Sequence, residues 1–158
     1  MFPPSHGANN AKVVASILSG KDEVLPSMLL DGDAAGKKMA RDLQNGLYQS
    51  DKGKIKTTDA YVGFANSEIE DLFPTPFISN VVDRWGRRAD TQFSDVAVPG
   101  QPIVPQIEDW AKSESIELYD GWKVDIAREA KRRALAPSHS FEASVIEKWG
   151  KMFDDLLS

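Results

Sequence analysis

The sequence predicts an α/β fold in which a small parallel sheet is flanked by helices and followed by a helical C-terminal extension. Helical and extended patterns alternate over residues 1–90, which is typical of strand–helix–strand units. Over residues 91–158 the apolar side chains repeat mainly at helical spacing. Hydrophobic residues form 41% and charged residues 27% of the 158 positions. This balance indicates a globular domain that can build its own core.

The first elements place an acidic residue at the end of a buried strand. Apolar spacing predicts a short helix over residues 9–18. The apolar run over residues 24–30 predicts a strand buried on both faces, with Asp31 at its carboxyl end. From Ala34 the period becomes helical and continues to about Gly46.

The next elements complete the predicted sheet and begin the extension. We expect a second strand over residues 60–64 and a short helix from Glu68 that Ser67 caps. An amphipathic helix is predicted over residues 77–85, and the Pro- and Gly-rich residues 89–105 predict an exposed connection. Three further helices are expected over residues 107–111, 122–134 and 141–157. We assign residues 1–90 to the sheet-containing core and residues 91–158 to a helical extension of the same domain.

Composition excludes several classes of site and of location. The chain contains no cysteine, which excludes disulfides, thiolate zinc sites and cysteine nucleophiles. It has neither an apolar run of about 20 residues nor a secretory signal pattern, so we expect a cytoplasmic protein with no membrane partner.

Charge is negative overall and positive locally. The net charge of −5 argues against a general nucleic-acid coat protein. Residues 121–133 nevertheless carry more basic than acidic side chains, and this basic island could meet a phosphate backbone. Its basic members are Lys123, Arg128, Lys131, Arg132 and Arg133.

Two acidic clusters are expected to converge on one edge of the sheet. Asp31 and Asp33 follow the first strand, while Glu68, Glu70 and Asp71 follow the second by a few residues. Ligands of parallel sheets collect at the carboxyl ends of the strands. Neighbouring carboxylates repel unless a proton or cation lies between them, and hard oxygen ligands favour Mg²⁺ or Mn²⁺.

Each cluster also has a simpler explanation. Asp33 is well placed to act as a helix N-cap, and acidic residues are favoured in the first turn of any helix. A calcium-binding EF-hand loop is a third interpretation, since Asp31, Asp33, Gly36 and Asp42 fall at matching positions. It is weakened by a preceding segment that looks like a strand rather than a helix.

The acidic segments resemble a known family. Met-Leu-Leu-Asp-Gly-Asp-Ala-Ala-Gly-Lys-Lys at residues 28–38 resembles the Asp-x-Asp segment of a TOPRIM domain. Glu-Ile-Glu-Asp-Leu-Phe-Pro at residues 68–74 resembles the acidic partner segment in nucleases of the overcoming-lysogenization-defect (OLD) family. Residues 2–10 are similar to that family's loop between its first strand and helix, and Lys123 stands where the family carries a catalytic lysine.

The resemblance implies a Rossmann-like TOPRIM sheet and metal-dependent hydrolysis of DNA phosphodiesters. Mg²⁺ or Mn²⁺ is the implied cofactor, and its implied ligands are Asp31, Asp33, Glu68 and Glu70. Lys123 would neutralise charge that develops on the phosphate. The DNA backbone would be held, without sequence readout, by Arg128, Lys131 and Arg132.

The chain departs from the family at its beginning. TOPRIM domains open with a strand that carries a Glu, and this sequence starts after the corresponding point, so residues 1–90 are expected to form a partial core. The ATPase half of OLD proteins is also missing, and no Gly-x-x-x-x-Gly-Lys-Ser/Thr loop occurs. An ATPase domain or subunit is therefore an expected partner. A fragment, a split subunit, an inactive relative and a homo-oligomer all remain open.

A different class of function is a non-catalytic assembly module. Its C-terminal helix would dock a partner, such as the ATPase, through Trp149, Met152, Phe153 and Leu156. The same apolar stripe is also expected of a helix that simply covers the protein's own core.

Overall fold

The computed structural model describes residues 10, 12–17, 24–87 and 89–158 and has a mixed α/β fold. This part of the chain contains two three-residue strands and seven α-helices, besides the helical residues 12–17. In chain order they are β1 (Met28–Leu30), α1 (Ala34–Asn45), β2 (Ile55–Thr57), α2 (Asp59–Val62), α3 (Thr75–Trp85), α4 (Phe93–Val96), α5 (Ile103–Ser113), α6 (Trp122–Ala134) and α7 (Ala143–Leu157). Residues 12–17 are also helical, and single 3-10 turns occupy Lys52–Lys54 and Ile69–Leu72.

The chain divides into two compact units. The first contains the chain up to Ile69 together with Gly150–Ser158, and the second contains Glu70–Trp149. The boundary predicted at residue 90 separates a sheet-containing core from a helical extension, which is not the division between the two compact units. That boundary stays a prediction.

The predicted small parallel sheet is confirmed, but its second strand lies elsewhere. β1 and β2 pair in parallel, with Met28 opposite Ile55 and Leu30 opposite Thr57. The strand expected over residues 60–64 is wrong, because this stretch belongs mostly to α2, whose C-cap residue Gly63 has a φ of 89°. Short apolar runs do not distinguish a strand from a buried helical turn.

The core of the first unit joins α1 to the two strands. Its buried members are Ala15, Leu30, Ala40, Leu43, Tyr48 and Ile55. Tyr48 is fully buried, and its hydroxyl donates to the carbonyl oxygen of Pro26 at 2.7 Å. Burial, with a smaller contribution from Asp51, raises the pKa of Tyr48 to about 12. The phenol therefore stays neutral and satisfied inside an apolar core.

The second unit is helical and built around α3. This helix packs against α4 and α6, and α4 packs against α5. The expected exposed connection over residues 89–105 is wrong in part, since α4 lies within it and Phe93 is fully buried. The indole of Trp110 donates to the carbonyl oxygen of Thr91 at 2.8 Å, which fixes this segment to α5. Aromatic burial outweighs the local Pro and Gly signal here.

The remaining helices agree closely with the sequence. α6 has the bounds that periodicity predicts, and α7 begins two residues later than expected. Within the described part of the chain, no helix is both long and apolar enough to cross a membrane.

Candidate functional site

The carboxyl ends of β1 and β2 meet at one edge of the sheet. Because the strands are parallel and in register, the residues after Leu30 and after Thr57 leave the sheet side by side. The ladder continues by one bond, from the amide of Thr58 to the carbonyl oxygen of Leu30 at 3.0 Å. Asp31 and Asp59 are therefore the first acidic residues beyond the two strands.

Asp31 joins the end of β1 to the segment before the Ile69–Leu72 turn. Its Oδ1 accepts a hydrogen bond from the amide of Ile69 at 3.1 Å. The side chain is half-buried, and its carboxylate can accept more than one bond because each oxygen has two lone pairs. Glu68, one of the predicted ligands, is the residue just before Ile69. The loop after β1 and the segment that follows α2 thus approach each other at Asp31.

Asp33 caps α1, which confirms the simpler interpretation of this residue. Its Oδ1 accepts from the amide of Gly36 at 2.7 Å, and its backbone is extended, as is usual for an N-cap. A Cβ added at Gly36 would lie 2.0 Å from the carbonyl oxygen of Asp31, so only glycine allows α1 to start so close to β1. Capping engages one oxygen of Asp33 and does not by itself exclude binding through the other.

A buried hydroxyl cluster fixes the loop between Asp31 and Asp33. The amide of Gly32 donates to Oγ1 of Thr58 at 2.9 Å and to the carbonyl oxygen of Ser67 at 2.7 Å. The hydroxyl of Thr58 donates to the same carbonyl at 2.8 Å, which leaves the Oγ of Ser67 to donate to Thr58 at 2.8 Å. Thr58 and Ser67 are fully buried, so each polar atom is satisfied inside the protein. Ser67 is a member of this cluster, not the expected helix cap.

Asp59 is the acidic residue of this edge that the sequence analysis missed. Its carboxylate accepts a hydrogen bond from Thr57 at 2.5 Å and pairs with Lys37 at 3.0 Å. Burial alone would raise the pKa of Asp59, but the hydrogen bond from Thr57 and the ion pair with Lys37 together lower it. Placing β2 at Ile55–Thr57, where β-branched residues flank a lysine, would have put Asp59 at the correct end of a strand.

The other predicted acidic ligand belongs to the second unit. Glu70 is half-buried within the 3-10 turn that begins at Ile69. Its neighbour Asp71 has a structural role, because its Oδ1 accepts from the amide of Ile103 at 2.8 Å and so satisfies the start of α5.

The described residues contain no ready-made cage for a metal ion. Among the residues that the structure describes, no three His, Asp or Glu side chains come together so as to hold a metal ion. Mg²⁺, however, is commonly bound through one or two carboxylates, with water and substrate phosphates completing its shell. Asp31 and Asp33 offer oxygen atoms of the right chemistry for that arrangement.

Lys123, the predicted catalytic lysine, lies in the first turn of α6 in the second unit. It is half-buried, and its ammonium nitrogen is 5.7 Å from the centroid of the Trp122 ring. At this distance the aromatic face attracts the cation.

The three predicted DNA-binding residues lie on exposed positions of α6. Arg128 pairs with Asp125 at 3.2 Å, and Arg132 forms two bonds with Glu129, at 2.6 and 2.8 Å. The hydrogen bond from Arg132 lowers the pKa of Glu129, which stays ionised and partly neutralises the basic island. Lys131 is exposed. Intrahelical pairs of this kind are weak and can exchange for a phosphate partner.

The stripe proposed for partner docking is partly used by the protein itself. Trp149 donates from its indole nitrogen to the carbonyl oxygen of Leu72 at 2.9 Å and packs against Phe73 and Phe141. Met152 is 5% exposed, whereas Phe153 is 42% exposed. Covering the core therefore accounts for two of the four side chains, and the assembly-module alternative stays a prediction.

Comparisons with protein families, curated proteins and solved structures found no match. At this edge of the sheet, Asp31 and Gly32 in the loop after β1 are hydrogen-bonded to Thr58 and to the segment 67–69 that follows α2. The segment 2–9, which carries another part of the TOPRIM resemblance, lies outside the described residues.

Proposed function

We propose that this chain is part of a TOPRIM domain of a metal-dependent DNA nuclease similar to the OLD family. The observation that carries the proposal is the hydrogen bond from the amide of Ile69 to Asp31. It joins the Asp-x-Asp loop to the segment that contains Glu68, which is the convergence that a shared cation site requires.

Asp31 and Asp33 are the proposed protein ligands of Mg²⁺ or Mn²⁺, and water and a substrate phosphate would complete the shell. A bound cation of this kind supplies a more acidic water and neutralises charge on a phosphodiester. The hydrogen bond from the amide of Gly32 to Thr58 keeps the backbone between the two aspartates in one conformation, so cation binding requires little reorganisation of the loop.

The basic residues of α6 provide the proposed contacts with DNA. Arg128, Lys131 and Arg132 hold the phosphate backbone without reading bases, and Lys123 neutralises charge on the reacting phosphate. An ATPase domain or subunit acts with the chain, as the resemblance to OLD proteins implies.

Metal binding is tested first, by adding Mn²⁺ to the full chain and following amide signals by NMR. We expect paramagnetic broadening to start at residues 31–33 and 67–69 and to be reversed by excess Mg²⁺. Asp31→Asn should remove this broadening, because asparagine keeps the acceptor for Ile69 but loses the charge. Asp42→Asn alters an exposed acid of α1 in the same unit and is the matched control. Equal broadening in both variants would contradict the proposed site.

Hydrolysis is tested by nicking of supercoiled DNA with the same proteins. Wild type and Asp42→Asn should nick in the presence of Mg²⁺, whereas Asp31→Asn should not. An Asp31→Asn protein that nicks as fast as wild type would contradict the assignment of the metal site. No nicking by wild type at saturating Mg²⁺ would contradict nuclease activity of this chain.

A further inference from the structure

A cleft of about 730 Å³ in the second unit combines an aromatic floor with a basic rim. It is lined by α3, by the end of α6 and by the segment that leads into α7. Its floor includes Phe77, His139 and Phe141, and its rim includes Arg84 and Arg133.

The floor offers flat ring surfaces. The His139 ring lies 5.0 Å from that of Phe77 and 4.5 Å from that of Phe141, measured between centroids. His139 is exposed and Phe141 is half-buried, and their ring planes are 85° apart, so a base that stacks on the His139 face meets the Phe141 ring at its edge. Phe77 is buried. Such surfaces stack on nucleic-acid bases without selecting a particular base.

The guanidinium groups of the rim keep N–H donors that can bind a ligand. Arg84 interacts electrostatically with Glu129, but the ion pair of Glu129 at hydrogen-bond distance is with Arg132. Arg133 donates one bond, to the carbonyl oxygen of Asn80 at 2.7 Å, and a guanidinium has five N–H donors. Among the described lining residues, Glu142 is the acidic one. Forked guanidinium donors match the geometry of phosphate oxygens.

The cleft continues along α3. A neighbouring cleft of about 540 Å³ shares Asn80, Arg84 and Arg133 and adds Arg87 and Asp83. One oxygen of Asp83 is already engaged, because it accepts from the amide of Ser94 at 3.2 Å. The basic lining therefore extends beyond the space that one nucleotide would fill.

We propose that this cleft binds a nucleotide that carries a terminal phosphate, with the phosphate on Arg84 and Arg133 and the base against His139 and Phe141. A free nucleoside monophosphate and the 5′-phosphorylated end of a single DNA strand share this chemistry. The basic continuation along α3 favours the strand end. The inference uses residues of the second unit alone and does not depend on a metal at Asp31.

Binding to the full chain is measured by fluorescence anisotropy with a short thymidine oligonucleotide labelled at its 3′ end, at about 150 mM ionic strength to screen exposed charges. The probe is used with a 5′-phosphate and with a 5′-hydroxyl, and thymidine 5′-monophosphate and inorganic phosphate are competitors. We expect the phosphorylated strand to bind about tenfold more tightly than the hydroxyl strand.

Arg84→Gln removes one guanidinium of the rim, and Arg41→Gln removes an exposed arginine of α1 with the same change in net charge. We expect Arg84→Gln to weaken binding of the phosphorylated strand about tenfold and Arg41→Gln by no more than about twofold. His139→Ala should weaken binding of both strands about fivefold, because it removes a stacking surface.

Three results would overturn the proposal: equal affinity for the phosphorylated and hydroxyl strands, equal effects of the two arginine variants, or competition by inorganic phosphate as effective as that by the nucleotide. Thymidine 5′-monophosphate could instead bind as tightly as the phosphorylated strand, with the same loss of affinity in Arg84→Gln. That result would support the site, with the free nucleotide as its ligand.

Discussion

The hydroxyl oxygen of Thr58 accepts a hydrogen bond at 2.9 Å from the amide of Gly32, which lies 26 residues earlier in the chain. This bond crosses from the loop after β2 to the loop after β1. Both residues are buried, so water cannot replace the bond without local opening of the structure. The conformation of the loop at residues 31–33 therefore depends on Thr58, which is not itself one of the proposed metal ligands.

Thr58→Val should lower the free energy of unfolding by about 2 kcal/mol, because the amide of Gly32 and the hydroxyl of Ser67 each lose a buried partner. Urea denaturation followed by circular dichroism measures the loss. Thr58→Ser keeps the hydroxyl and is the control, with an expected loss of about 1 kcal/mol for one methyl group. A Thr58→Val protein as stable as wild type would show that the hydrogen bonds of this hydroxyl do not stabilise the fold.

Gly32→Ala should destabilise the protein by about 1–3 kcal/mol through a steric clash. The new Cβ would lie 2.9 Å from Cβ of Asp59 and 3.1 Å from Oγ of Ser67. The Cβ of Asp59 is attached directly to the backbone and cannot rotate away. Gly53→Ala, where no atom lies within 4 Å of the added Cβ, should change stability by less than about 0.5 kcal/mol. Urea midpoints compare the two variants, and similar midpoints would contradict the close approach.

The ion pair between Lys37 and Asp59 should make stability depend on pH in the acid range. The pKa of Asp59 in the folded protein lies below its ordinary value of 3.8, so the ionised carboxylate favours the folded state. Its contribution is present above about pH 4 and is lost as the pH falls through the lowered pKa. Because the side chains are 39% and 22% exposed, the contribution should not exceed about 1 kcal/mol.

Asp59→Asn tests this dependence in urea denaturation at about pH 7 and about pH 2.5. Wild type should be more stable than the variant at the higher pH, and the difference should shrink at the lower pH. A difference that is the same at both pH values would mean that the charge of Asp59 has no part in stability.

Gly86→Ala and Gly150→Ala should change stability in opposite directions. A Cβ at Gly86 would lie 2.3 Å from the ring of Trp110, which is 4% exposed and hydrogen-bonded to Thr91. We expect a loss of about 1–3 kcal/mol there, since the ring has no space to move. A Cβ at Gly150, within α7, meets no atom within 4 Å, and alanine should stabilise the helix by about 0.5–1 kcal/mol. Thermal unfolding temperatures should separate the two variants, and a stabilised Gly86→Ala protein would contradict the packing of Trp110.

The parts of the fold that depend on local pattern could be predicted from the sequence. Periodicity was sufficient for α6, whose bounds are those expected. The apolar run over residues 24–30 indicated β1 and placed Asp31 after it, but the strand covers only Met28–Leu30, and of its residues only Leu30 is buried. The cap at Asp33 was also foreseeable, because the required residue types follow one another directly.

The parts that depend on distant residues could not be predicted in the same way. β2 has only three residues, and the more apolar stretch over residues 60–64 gave a stronger but misleading signal. Asp59 was overlooked as a result. The aromatic cluster of Phe73, Phe77, Phe141 and Trp149 joins residues far apart in the chain, and no local period indicates such a cluster.

The first compact unit is discontinuous in sequence, since it ends at Ile69 and resumes at Gly150. Within it, the hydroxyl of Tyr61 donates to Asp155 at 3.3 Å. Cleavage of the chain at one position therefore cannot release this unit intact. A shortened protein that stops before α7 would expose the surface of the first unit that the last nine residues normally cover. Anyone who wishes to isolate the strands for spectroscopy should instead remove the intervening residues and bridge the gap with a flexible linker.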